Sequence, residues 1–154
     1  MKKQKNKTTK KIDLFKSIVL MIILLFAMPM QSQDIFGKWK SIDHETGEIR
    51  SIIEVYEEEG KVFGKIIKVL AKGRQNGKCT LCPGDKKNEP LKGLVIIEGL
   101  EKEEDAYSGG TIIDPAKGKK YRCKIWVDPA KPDVLNVRGY VSLFYKTQYW
   151  PRSK

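Results

Sequence analysis

Residues 119–127 read KKYRCKIWV, and this stretch shows the alternation that decides the fold. Tyr121, Cys123, Ile125 and Val127 fall on one side of an extended chain, and the charged residues fall on the other side. Successive side chains of a β-strand point to opposite faces of the sheet, so the first set is predicted to point inward. The stretch therefore predicts a strand with one apolar face and one charged face.

A second stretch repeats this pattern. Ser51, Ile53 and Val55 are predicted to point inward, and Arg50 and Glu54 are predicted to face solvent. Clusters rich in glycine and proline separate such runs, and each cluster is a signal for chain reversal. Strands are predicted near residues 35–42, 50–57, 61–69, 93–100, 106–113, 119–127, 133–140 and 144–150.

No stretch shows a sustained helical period, so the sequence predicts an all-β fold. Strands that follow one another with short reversals favour an up-and-down meander. Closure of this meander into a single antiparallel barrel of about eight strands would remove the two exposed sheet edges. Such a barrel is just wide enough to be filled by side chains or to hold one small ligand.

The candidate ligand-binding residues are the inward ones near the middle of these two strands: Ile53, Val55, Tyr121 and Ile125. The polar atoms of Tyr121 and Ser51 would orient a ligand inside the barrel. The same atoms could instead satisfy neighbouring polar groups in a filled core. Both interpretations stay open at this stage.

The N-terminus predicts export from the cytoplasm. Seven lysines precede an apolar run from Ile18 to Met30, which is 13 residues long. A basic start followed by a short apolar run is typical of a secretory signal, whereas a membrane-spanning helix needs about 20 apolar residues. We expect residues 1–32 to be a signal peptide that contacts the membrane transiently. Residues 33–154 would then form one domain in the periplasm or outside the cell.

Removal of that segment would change the electrostatics of the chain. The whole sequence has 30 basic and 19 acidic residues, a net charge of +11. Residues 33–154 keep 23 basic and 18 acidic residues, a net charge of +5. With charges of both signs interspersed, this balance gives little support for nucleic-acid binding.

Residues 71–92 interrupt the strand pattern with a long segment rich in glycine, lysine and proline. Long irregular loops are often lids or binding loops. Cys79 and Cys82 lie in this segment, and in an exported protein a local disulfide between them is the simplest interpretation. A metal site would need more ligands, a thiol–disulfide catalyst would need a helix after the cysteines, and a reduced pair is the remaining alternative.

Other residues indicate structure rather than catalysis. Gly37 and Trp39 open the first strand, where the indole would plug the base of the barrel, and Arg152 would form a cation–π contact with it. The single histidine, His44, is predicted to be exposed in a turn. No nucleophile with a neighbouring base is evident, and neither a metal site nor a cofactor is predicted.

The chain resembles an exported bacterial family called domain of unknown function 2147 (DUF2147), from about Asp34 to Arg152. The resemblance is carried by DIFGKWKSID, ETGE, KVFGKIIKVL, CTLCPGDKKNEPLKGL, YSGGTIIDPAKGKKYRCKIWV and LNVRGY. The opening glycine and tryptophan and the closing arginine are similar to those of lipocalin-like barrels. This likeness implies a lipocalin-like fold and, by analogy, ligand binding.

Two functional hypotheses follow. The first is a non-enzymatic exported barrel that binds a small, partly apolar molecule. The second is a cell-envelope interaction protein with a filled barrel, whose 71–92 loop contacts a protein or glycan. An internal cavity would favour the first hypothesis. The sequence leaves the oligomeric state undetermined.

Overall fold

Eight antiparallel strands form a single sheet in the computed structural model, which describes residues 34–43 and 45–154. The predicted signal peptide, residues 1–32, and His44 lie outside the described residues. The strands are β1 (Gly37–Ile42), β2 (Ile49–Glu58), β3 (Lys61–Val69), β4 (Val95–Glu103), β5 (Ala106–Asp114), β6 (Lys119–Asp128), β7 (Lys131–Val141) and β8 (Phe144–Pro151).

The strands follow one another in sequence order around the sheet, so the up-and-down, all-β prediction is confirmed. The first and last strands meet through a bridge between Trp39 and Arg152, and the amide of Ser153 donates to the carbonyl of Lys38 at 2.8 Å. We call this end of the nearly closed barrel the base. The opposite end, where β1 ends and β8 begins, is the mouth.

The alternation predicted for β6 and β2 is present. In β6, Cys123, Ile125 and Val127 are buried, while Arg122 is exposed. In β2, the predicted inward residues are likewise buried. The two-residue period of a strand thus fixes which side chains enter the core.

Trp39 fills the base of the barrel with no exposed surface. Its indole N–H donates to the carbonyl of Ile35 at 2.8 Å, and the guanidinium carbon of Arg152 lies 4.0 Å from its ring centroid. The guanidinium also donates to the carbonyls of Asp34 at 2.9 Å and Phe36 at 3.1 Å. Arg152 therefore joins the segment before β1 to the end of β8.

Gly37 allows the guanidinium to approach this closely. Its φ is +113°, a conformation that L side chains rarely adopt, and an added Cβ would lie 3.2 Å from Nη1 of Arg152. A side chain at this position would be strained and would crowd the arginine.

The acidic stretch of residues 101–105 extends the strand predicted near residues 93–100 and forms a turn only in its second half. Strand β4 continues to Glu103, with Glu101 paired to Ser108 and Lys102 paired to Tyr107. The reversal comes at Glu104, whose φ is +52°. Backbone pairing with β5 extends the strand, and the charged side chains remain exposed.

Candidate ligand-binding cavity

A cavity of about 580 Å³ occupies the mouth half of the barrel. All eight strands contribute residues to its wall. The connections that join β1 to β2, β3 to β4 and β5 to β6 also line it. The base half is packed with fully buried side chains, among them Val55, Leu100, Ile125 and Leu135. The barrel is therefore filled at one end and hollow at the other.

The part of the cavity wall that faces the core is apolar. Ile66, Ile96, Ile113, Val137 and Trp150 line the cavity and are each less than 6% exposed. Aliphatic and aromatic walls of this kind favour the apolar part of a ligand, because its transfer from water is driven by the hydrophobic effect.

Gly139 accounts for part of the open space. It lies at a cavity-lining position of β7 between Val137 and Val141, where it contributes no side chain. A Cβ added there would be 3.5 Å from the Cβ of Tyr121, which is an ordinary contact distance. The position could accept a small side chain, and a large one would enter the cavity.

Polar groups surround the outer part of the cavity. Ser41, Ser51, Tyr121 and Gln148 line it. The side chain of Gln148 accepts a hydrogen bond at 2.9 Å from the indole N–H of Trp150, so this amide has a fixed orientation. The wall thus combines an apolar interior with hydroxyl and amide groups nearer the solvent.

Asp43 and Arg50 form an ion pair at the mouth and both line the cavity. The carboxylate accepts hydrogen bonds from the amide of Thr46 at 3.1 Å and the amide of Glu45 at 2.8 Å. These backbone hydrogen bonds, from Thr46 and then Glu45, together with Arg50, lower the pKa of Asp43 to about 2. Asp43 therefore holds the β1–β2 turn as an anion.

This lowered pKa predicts a pH dependence. A carboxyl whose folded pKa lies below its ordinary value of 3.8 stabilises the fold fully above that value, and the contribution is lost as pH falls toward 2. The Asp43→Asn variant keeps an oxygen acceptor but loses the charge. We expect it to be less stable than the parent above about pH 4, with the difference shrinking toward pH 2. Urea unfolding of both proteins across this range measures the effect, and a constant difference would contradict it.

The connection between β3 and β4 forms one side of the mouth. Cys79 and Cys82 are joined by a disulfide, and both are buried. The amide of Asn88 donates to the carbonyl of Cys79 at 2.9 Å, and the amide of Cys79 donates to the carbonyl of Glu89 at 2.8 Å. Leu91 is buried and lines the cavity. This long connection is an ordered part of the wall.

The same connection packs against the turn between β5 and β6. The Sγ of Cys79 lies 3.6 Å from the carbonyl oxygen of Pro115. Gly118, with φ of +65°, lies so close to the backbone of Leu81 that a Cβ on the glycine would overlap the leucine carbonyl. Contact between these two connections therefore sets the shape of one side of the mouth.

The structure separates the four candidate ligand-binding residues. Tyr121 is half-buried and lines the cavity. Ile53, Val55 and Ile125 are at most 1% exposed and lie in the packed core, outside the cavity wall. A ligand would contact these three only if the core opened, so their role in binding stays a prediction.

Three further findings concern the described residues. Burial raises the pKa of the Cys123 thiol to about 12, so this cysteine is a poor nucleophile. Within residues 34–43 and 45–154, no group of three or more His, Cys, Asp or Glu residues could hold a metal ion. Over the same residues, no helix is long and apolar enough to span a bilayer.

An up-and-down barrel of eight antiparallel strands, closed at one end and hollow at the other, is the architecture of the lipocalins. One solved structure has a fold similar to that of this chain. It is described as protein HP1028 from the human pathogen Helicobacter pylori, belonging to the lipocalin family. The TM-score is 0.66 at 22% sequence identity, over 79% of this chain and 84% of that one.

The chain belongs to the DUF2147 family, described as an uncharacterized protein conserved in bacteria, and residues 37–152 match it. The resemblance found in the sequence is thereby confirmed. No curated protein matches this chain. The family and the fold of this chain are thus established.

Proposed function

We propose that this protein is an exported, non-catalytic barrel that holds one small, partly apolar molecule in its mouth cavity. The observation that carries the proposal is the hollow half of the barrel, with its apolar inner wall and polar outer wall. Its volume of about 580 Å³ lies within the range of about 300–1,000 Å³ common for small-molecule sites.

The arrangement of the wall favours one orientation of the ligand. The apolar part would pack against Ile66, Val137 and Trp150, toward the core. Ser51, which is buried, and Tyr121, which is half-buried, would offer hydroxyl groups to a polar part of the same molecule. Because a hydroxyl can donate or accept, this pair suits an uncharged polar group as well as an anion.

Two titratable groups, Asp43 at the mouth and Cys123 in the core, support a binding role over catalysis. A general base works best with a pKa near the operating pH, whereas the pKa of Asp43 is about 2 and its oxygens are engaged by the turn and by Arg50. Cys123 is buried and protonated at neutral pH. Neither group is suited to acid–base or nucleophilic chemistry in the cavity.

Export is supported by two features. The basic and apolar N-terminus has the pattern of a secretory signal, and the disulfide between Cys79 and Cys82 is of the kind that persists in oxidising compartments. We therefore place the functional barrel in the periplasm or outside the cell.

Filling the cavity tests the proposal. In the Gly139→Phe variant the new ring would occupy the space beside Tyr121, and we expect affinity for the apolar fluorophore 1-anilinonaphthalene-8-sulfonate to fall about tenfold or more. Gly139→Ala is the matched control, because its Cβ fits at ordinary contact distance, and it should bind as the parent does. Fluorescence titration of the three proteins measures the effect.

Native mass spectrometry of the parent protein, purified from an exporting bacterial host, provides a second test. A retained small molecule that is absent from Gly139→Phe would identify the class of ligand. Equal fluorophore binding by all three proteins would place the bound probe outside the cavity and contradict the proposal. In that event the second hypothesis, a partner contact through the 71–92 loop, would gain support from Leu81, which is 62% exposed there.

A further inference from the structure

The hairpin formed by β7 and β8 concentrates the exposed apolar surface of the described barrel. Of the eight large hydrophobic residues exposed there, five lie between residues 141 and 149. Leu143 is 92% exposed and Phe144 is 79% exposed. The other three are Val141, Tyr145 and Tyr149. Large exposed apolar side chains that cluster on one hairpin mark an interaction site more often than scattered ones do.

These residues project from the end of the barrel at a tight turn. Val141 pairs with Phe144, so Ser142 and Leu143 alone connect the two strands. Ser142 has a φ of +53°, a conformation for which such turns usually use glycine or asparagine. The hairpin tip, defined as residues 141–144, thus places apolar side chains on a narrow projection instead of the polar residues typical of turns.

Charge is distributed unevenly around the barrel, and the hairpin tip lies on the basic side. Residues 119–154, which contain β6, β7 and β8, have nine basic and two acidic residues, a net charge of +7. Residues 33–118 have a net charge of −2. Arg122, Lys124 and Arg138 lie on the outer face of these last strands. This third of the barrel would attract an anionic partner.

Aromatic rings accompany the basic residues on the outer face. The guanidinium carbon of Arg138 lies 4.2 Å from the ring centroid of Tyr145 and 4.9 Å from that of Trp126. Tyr149 is 63% exposed on the same face. Tyrosine and tryptophan are enriched where proteins meet the headgroup region of a bilayer, because one part of the ring is apolar and another is polar.

We propose that the hairpin tip docks the barrel onto an anionic phospholipid membrane. Leu143 and Phe144 would enter the acyl boundary, and the positive charge of β6–β8 would attract the barrel to the anionic headgroups. A narrow tip with two protruding apolar side chains fits between lipids better than it fits a flat protein surface. The sequence predicts only transient membrane contact through residues 1–32, and the hairpin tip adds a second, lasting one.

This docking would also orient the cavity. Val141 and Phe144 belong to the cavity wall as well as to the hairpin tip. With the tip in the headgroup layer, the mouth would face the bilayer, so a partly apolar ligand could pass between membrane and cavity without crossing bulk water. This last point rests on the proposed function, whereas the docking itself does not.

A fluorescent label at the hairpin tip tests the proposal in the whole chain. The Leu143→Cys variant would be labelled with an environment-sensitive nitrobenzoxadiazole probe, and the buried Cys123 thiol should resist labelling. On phosphatidylglycerol vesicles we expect the emission to rise several-fold and shift to shorter wavelength. Phosphatidylcholine vesicles should give little change, and high salt should reverse binding. Because the readout is local, vesicle binding by residues 1–32 alone would leave it unchanged.

The same label at Ala130→Cys is the control. Ala130 is exposed in the turn between β6 and β7, which lies at the base of the barrel. It is therefore at the opposite end of β7 from the hairpin tip. Its emission should stay unchanged on either kind of vesicle. An equal response at both positions, or none at position 143 on anionic vesicles, would overturn the proposal. A response at position 143 that grows with protein concentration and needs no vesicles would also overturn it, in favour of self-association.

Vesicle sedimentation of unlabelled variants measures how strongly each side chain contributes to partitioning onto the membrane. Leu143→Ser and Phe144→Ser should each weaken partitioning about tenfold or more. Arg122→Gln and Lys124→Gln should each weaken it about fivefold, whereas Lys102→Gln, on β4 across the barrel, should have little effect.

The Gly139→Phe variant separates the two proposals, because it should lose fluorophore binding and should still bind the vesicles. Leu143→Ser, at a position outside the cavity wall, should lose docking and keep normal fluorophore binding, which completes this separation.

Discussion

Trp39→Ala is expected to lower the free energy of unfolding by about 3–5 kcal/mol, because it removes a fully buried indole and leaves a cavity at the base of the barrel. The substitution also removes the ring beneath Arg152 and the hydrogen bond to the carbonyl of Ile35. These contacts join the two ends of the sheet, so we expect the loss to affect the whole barrel. Urea unfolding followed by circular dichroism measures it.

Trp126→Ala provides a matched control, since it removes the same side chain from the outer face. Trp126 is half-buried and contacts Arg138 there. Its removal should cost about 1–2 kcal/mol, from partial burial and one exposed cation–π contact. Equal destabilisation by the two variants would mean that the indole of Trp39 contributes no more than surface packing, which would contradict its role as the plug of the base.

Gly118→Ala is expected to cost about 3 kcal/mol or more. Its φ of +65° is unfavourable for alanine by about 1–2 kcal/mol, and the added methyl group would overlap the backbone of Leu81, which adds an overpacking cost of about 1–3 kcal/mol. Because the overlap lies between two connections at the mouth, relief of the clash should move the disulfide-containing connection. Thermal unfolding and fluorophore binding would report the two effects.

Gly47→Ala separates backbone strain from the clash. Gly47 has a similar φ, +74°, and no atom lies within 4 Å of an added Cβ. This variant should therefore lose only the backbone contribution, about 1–2 kcal/mol, and should bind the fluorophore normally. If Gly118→Ala were no worse than Gly47→Ala, packing between the two connections would be unimportant for the mouth.

The fold could be predicted from local patterns because strands have a two-residue period. The inward positions of β6 and β2 follow directly from the alternation of residues such as Ile125 with Lys124 and Ile53 with Glu54. Family membership could also be recognised, since the motifs are long and occur in order. The strand boundary at Glu103 could not, because it depends on pairing with residues of β5 and not on local composition.

Side chains that point into the barrel can lie at different depths along it. Ile53 and Tyr121 both point inward, yet the first lies in the packed core and the second lines the cavity. Their depth depends on which strands surround them, and hence on contacts between distant parts of the chain. Gly139 offered a local signal, because a glycine at an inward position of an alternating strand leaves space inside a barrel.

The connection between β3 and β4 could be predicted as a long loop but not as a packed wall. Leu91 and Leu94 are buried there, although irregular segments have no period that would distinguish inward from outward residues. The CxxC pair indicated a disulfide without indicating that both sulfurs would lie in the core. Contacts such as that between Leu81 and Gly118 arise only when the connections are brought together at the mouth.

The closure at the base also bears on how the chain reaches its native state. The guanidinium of Arg152 and the carbonyl of Phe36 that it bonds are 116 positions apart in sequence. Phe36 and Trp39 emerge from the export channel long before Arg152, so the ring of strands can join only after the whole of β8 and Arg152 have emerged. During that interval two sheet edges lack partners, a state prone to aggregation, and closure over so long a separation is slow. A holding chaperone would therefore be of most use to this protein just before its last strand is complete.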